Sequence, residues 1–138
     1  MNHSTLIIDI PNSVPRILSP NSRSHWGTKA QVQARVKADA MWSTIDAAGN
    51  TPEGALMCLK DAPLPLTLHF AVGWESRRRK LMDDDNIKAS LKWHIDGIAS
   101  ALGIDDRHMI VGTVTQTYDE AKRGFVRVAV EPAREARS

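Results

Sequence analysis

The chain has 138 residues, enough for one domain that can bury a core without disulfides or a structural metal. Hydrophobic residues make up 42% and charged residues 25%, which argues against a globally disordered chain; the single cysteine, Cys58, excludes an internal disulfide and a cysteine-based zinc cage. Net charge is only +2, so affinity for a polyanion has to come from how the charges are distributed. No run of about 18 apolar residues marks a membrane span. Met1 to Ile10 contains Asp9 and lacks a basic start before a long apolar stretch, so it does not read as a signal peptide. The lone thiol suits a reducing cytoplasm.

Thr5 to Ile10 reads as a first strand, ended by Pro11. From Pro11 to Thr28, three prolines (Pro11, Pro15 and Pro20) with Asn12, Asn21 and Gly27 predict an extended surface loop. That loop also carries Arg16, Arg23, His25 and Trp26. Lys29 to about Ala48 is free of proline and glycine, and Val32, Val36, Ala40 and Ile45 recur near helical spacing. A helix is expected there, with Thr28 as N-cap and Gly49-Asn50 as its stop. After a loop with Pro52, Gly54, Pro63 and Pro65, Leu64 to Trp74 alternates as a second strand.

Asp85 to Leu102 is the clearest helix, with Asp85 as N-cap and Gly103 as terminator. Ile87, Leu91, Ile95, Ile98 and Leu102 share one arc at about 100° per residue, while Lys88, Lys92 and Asp96 share the arc of Asp85. His94 falls near the apolar arc and reads as a packed histidine. After a turn at Asp105-Asp106, Ile110 to Tyr118 reads as a third strand, Glu120 to Gly124 as a hairpin turn and Phe125 to Glu131 as a fourth strand. The expected fold is α+β: a single domain over residues 1–138, frayed at 1–4 and 132–138. A mixed sheet of about four strands packs with two main helices in the order β-α-β-α-β-β.

The chemistry concentrates in one stretch. Arg77, Arg78, Arg79 and Lys80 are consecutive, and Asp83-Asp84-Asp85 follows almost at once. Asp-x-Asp in an extended segment sets two carboxylates on one side, because side chains there alternate. Carboxylate oxygens are hard ligands that suit magnesium. Asp83, Asp85 and Asp106 are therefore the first metal candidates. The helix between them rises about 25 Å, so Asp106 reaches Asp85 only if the following strand, or a second copy of the chain, brings it there. Capping of the helix by the acid run, and a plain turn at Asp105-Asp106, are the competing structural explanations. Arg77, Arg78, Arg79, Lys80, Arg16 and Arg23 are candidate phosphate contacts. Trp26 reads as a lid over the core or a stacking platform.

Arg77 to Arg107 (RRRKLMDDDNIKASLKWHIDGIASALGIDDR) resembles the signature of the RusA-like Holliday-junction resolvases: a basic run, Asp-x-Asp-Asn opening a helix, and Asp-Asp after it. Ile10 to Arg16 (IPNSVPR) is similar to that family's early Pro-x-Ser loop. The resemblance implies a magnesium-dependent homodimer, with manganese as a substitute ion, that binds a four-way junction and nicks two strands to leave 5′-phosphate and 3′-hydroxyl ends. It assigns the metal to Asp83, Asp85 and Asp106, with Asp105 as a further candidate. The family's lysine, four residues after the second Asp, is replaced by Ala89, and Lys88 or Lys92 would take its place, Lys88 being preferred along the axis. Two other readings stand beside this one: a branched-DNA-binding protein without catalysis, and a different magnesium enzyme acting on nucleotides. The absence of a Walker-type glycine-rich loop speaks against an NTPase.

Overall fold

The structure, a computed structural model, describes residues 6–20, 22, 23, 25–49, 64–78 and 80–132. The expected stop at Asn50, the prolines up to Pro63, Cys58, Arg79 and the terminal tail lie outside the described residues. In chain order the elements are β1 (Leu6–Pro11), a 3-10 turn at Arg16–Leu18, α1 (Trp26–Ala47), β2 (Leu66–Trp74), α2 (Asp84–Ser90) and α3 (Lys92–Leu102). A 3-10 turn at Asp106–His108, β3 (Met109–Tyr118) and β4 (Phe125–Pro132) complete them. The fold is α+β, with strands and helices in the predicted order.

The sheet follows from alternation. Leu6, Ile8 and Ile10, then Leu66, Leu68, Phe70, Val72 and Trp74, then Val126, Val128 and Val130 bury one face of β1, β2 and β4. Ala40 of α1, Ile87 of α2, and Leu91, Ile98 and Leu102 close the core over that face. Strand order is β1-β4-β2-β3. β4 is antiparallel to both β1 and β2, whereas β2 and β3 run parallel. A parallel neighbour needs a crossover, and α2 with α3 supplies it.

Three sequence expectations change. Glu120–Gly124 is not a hairpin turn, because β2 lies between β3 and β4. The connection arches over the end of β2: Asp119 N–H donates to the Trp74 carbonyl at 2.8 Å, and the Asp119 carboxylate accepts from the N–H groups of Ala121, Arg123 and Gly124. Gly124 is needed there, with φ +82° and a Cβ position only 3.0 Å from Ser13. Alternation in β3 is also broken. Leu68 faces Val111 and Phe70 faces Val114, so two steps in β2 answer three in β3. His69 fills the bulge, accepting the Thr113 N–H at Nδ1 (3.1 Å) and pairing through Nε2 with Glu131 (3.1 Å).

The third change concerns the helices. α1 begins earlier than Thr28 predicts, because the His25 ring accepts the Gly27 N–H at 3.1 Å and serves as the cap. Trp26 is then the first helical residue, 77% exposed beside the His25 ring, and no lid over the core. The helix expected from Asp85 to Leu102 starts at Asp84, with Asp83 in the N-cap position, and is interrupted at Leu91. Ser90 Oγ donates to the Asn86 carbonyl at 2.7 Å, and such back-bonding bends helices. Gly103 ends α3 in the left-handed region at φ 68°, as its position predicts.

Candidate carboxylate site and nucleic-acid interface

The acid run is held in place from two sides. Gln116, on the inward face of β3, accepts from Trp74 Nε1 (3.0 Å) and from the Met82 N–H (2.9 Å), and donates to the Met82 carbonyl (2.8 Å). Arg16 lies over the Trp74 ring at 4.5 Å, and its Nη2 donates to the Lys80 carbonyl. The segment from Lys80 to Met82 is thereby fastened to the sheet and to the first loop, and Asp83 follows directly. The sequence signalled Arg16 but not Gln116, which looks like any polar residue of a strand.

Asp83, Asp84 and Asp85 are all exposed. Asp83 occupies the N-cap position without using its carboxylate as a cap, and it lines a concavity of about 540 Å³ with Arg16, Ser19 and Asn86. Asp84 and Asp85 lie in the first turn of α2, so the Asp-x-Asp pair is not in an extended segment. Lys88 pairs with Asp84 at 3.1 Å, one turn along, rather than with either predicted ligand.

Asp106 is elsewhere. Among the described residues no three His, Cys, Asp or Glu side chains converge closely enough to hold a metal ion, so Asp83, Asp85 and Asp106 do not form a ready-made triad. The helix carries Asp85 and Asp106 to different ends, and β3 does not bring Asp106 back. Asp106 meets Asp96 of α3 instead. Burial first, then the negative charge of Asp106 and a hydrogen bond with it, hold the Asp96 carboxyl above its usual range, against the pull of Lys92 and Lys37. Asp105 caps the 3-10 turn by accepting the Arg107 N–H (3.0 Å), which with the Arg107 charge lowers its pKa. Asp96 and Asp106 thus act on one another, and Lys92 from the same helix and Lys37 from α1 oppose their charge. Sequence reading had placed Asp96 and Lys92 on one charged face. Lys37 gave no signal, because only the packing of α1 on α3 brings it near.

The basic residues divide. Arg77 lies over the Tyr118 ring at 5.3 Å, and the Arg78 N–H is fixed by Ser76 Oγ at 3.1 Å. Both line an open concavity of about 480 Å³ with Tyr118 and Lys122. Arg23 and Lys80 are exposed. Arg16 is half-buried and works as a clamp. Lys92 lies 5.6 Å from the Trp93 ring. No helix of the described residues is long and apolar enough to cross a membrane.

A protein of Xylella fastidiosa (strain Temecula1 / ATCC 700964), described only as uncharacterized, is 33% identical over 138 residues, with 84% of this chain and 80% of that protein covered. The chain belongs to that protein's family. No family model matches. Among solved structures, IspF of Plasmodium falciparum in complex with CDP aligns with 97% of this chain and 100% of its own at 12% identity, with a TM-score of 0.31, too low to bear on fold or chemistry.

Proposed function

We propose that this protein is a magnesium-dependent endonuclease that binds branched DNA as a homodimer and nicks it, acting in the cytoplasm. What supports this most is the mutual influence of Asp96 and Asp106, two acids that lie within reach of the charges of Lys92 and Lys37. Their oxygens fit a hard cation, and magnesium is commonly held by one or two carboxylates, with water and substrate phosphate completing its shell. When bound there, magnesium would neutralise charge on the scissile phosphate and favour ionisation of the attacking water. Lys92 and Lys37 would attract the phosphate and stabilise the charge that grows on it. Arg77, Arg78 and Lys80 would hold the backbone on either side of the branch, with affinity that falls as salt rises.

The test is cleavage of an end-labelled four-way junction, with magnesium and with EDTA, beside a linear duplex. Expected are magnesium-dependent paired nicks near the branch, lost in Asp106→Asn and Asp96→Asn while junction binding persists, and a dimer by sedimentation. Normal cutting by Asp106→Asn would remove the carboxylate assignment. A second reading, binding of branched DNA without catalysis, is favoured by the separation of Asp83 and Asp85 from Asp106 within one chain. Tight, magnesium-independent binding with no nicks would select it.

A further inference from the structure

Between the first loop, the middle of α1 and the β3–β4 connection lies a cavity of about 530 Å³, within the range of ligand sites. Its wall carries guanidinium groups from three separate parts of the chain: Arg16 of the loop, Arg35 of α1 and Arg123 of the connection. Asp39 and Glu75 share the wall, so cations outnumber acids there. Two residues of the wall, Arg16 and Ser13, each keep a buried polar atom, Nε and Oγ, with no hydrogen-bond partner among the described residues. A buried donor left unpaired is costly, and it is relieved when a ligand or a water supplies an acceptor.

Arg16 is also positioned before any ligand arrives. Its Cζ lies over the Trp74 ring and its Nη2 donates to the Lys80 carbonyl, while the buried Nε has no partner among the described residues. The Asp119 carboxylate fixes the backbone of Arg123. Preset guanidinium donors are suited to an anion with several acceptor oxygens, above all phosphate.

We propose that this cavity is a phosphate-binding site built from Arg16, Arg35, Arg123 and Ser13, and that it receives a backbone phosphate of a nucleic-acid strand. The phosphate site stands on the geometry alone; its nucleic-acid source rests on the function proposed above. Arg16 also walls the concavity that Asp83 lines, so a strand anchored here continues past Asp83.

Two measurements on the full chain test the proposal. Inorganic phosphate is titrated at low ionic strength while the arginine Nε–H signals are followed by NMR. Saturable shifts are expected at Arg16, Arg35 and Arg123, with the Arg16 shift lost in the Arg35→Gln/Arg123→Gln variant. The salt dependence of four-way-junction affinity is then compared between wild type and that variant. Loss of one phosphate contact should lower the slope of log K against log salt by about 1. Both changed residues are exposed, so an unaltered melting temperature is the expected control. Absence of phosphate-induced shifts at these arginines overturns the site. Phosphate binding with an unchanged slope overturns the nucleic-acid source and leaves free phosphate as the ligand. Phosphate binding by a wild type that binds no DNA supports the pocket and removes the proposed function instead.

Discussion

Burial pushes the pKa of His94 down to about 4, and its Nδ1 is enclosed without a partner among the described residues. The unfolded chain, with an ordinary histidine, binds a proton below about pH 6.5, whereas the folded chain refuses it until about pH 4. More protons are bound in the unfolded state throughout that window, so stability falls as pH drops through it and levels off below. Two and a half pH units correspond to roughly 3 kcal/mol. His94→Leu should remove this slope. Urea unfolding of both proteins at pH 7 and pH 5 checks it: the wild type should lose far more stability than the variant, and equal losses would show that His94 is not the titrating group. At this scale, legibility depended on pattern. His94 was readable as a packed residue because it lies near the apolar arc of its helix. Gln116 was not, because its three hydrogen bonds join residues far apart in sequence.

Between elements, α1 packs closely against α3 at Gly97. A Cβ on Gly97 would stand 2.2 Å from the Lys37 carbonyl oxygen and 2.8 Å from the Ala40 Cβ, so only glycine lets the two helices meet at this distance. Gly97→Ala gains helix propensity, about 1 kcal/mol at most. Against that, overpacking on backbone atoms costs about 1–3 kcal/mol or more, since a carbonyl oxygen cannot turn aside as a side chain can. The net expectation is a destabilisation of about 2 kcal/mol in chemical denaturation, with Lys37 moved away from Asp96; a variant as stable as wild type would refute the close packing. Strand and helix positions were legible because period-2 and period-3.6 patterns are strong in this chain. The helix break was not, because a serine inside a helix gives no sign that its hydroxyl will bond back. The assumed hairpin failed for a related reason: a short turn between two strands does not say that a third strand lies between them.

Across the whole molecule, α2 and α3 keep the acids apart. Asp85 lies in the first turn of α2 and Asp96 in α3, beyond the interruption at Leu91. Among the described residues no three acids converge on one ion, so the acid run and Asp96–Asp106 are separate candidates for it. The sequence made Asp106 conspicuous as an acid after the helix, but only the return of the chain towards α3 gives it Asp96 as a neighbour. This makes the location of the ion a question of linkage. A cation that binds the folded chain and not the unfolded one raises stability by roughly 3 kcal/mol at a hundredfold excess over its dissociation constant, several degrees in melting temperature. If Asp96 and Asp106 hold magnesium, the shift should survive Asp83→Asn and Asp85→Asn and vanish in Asp96→Asn and Asp106→Asn. Without magnesium, Asp96→Asn should be at least as stable as wild type, because it removes the like-charge contact with Asp106. A shift lost in Asp85→Asn and intact in Asp96→Asn would move the ion to the acid run, where Arg16 lines the same concavity as Asp83.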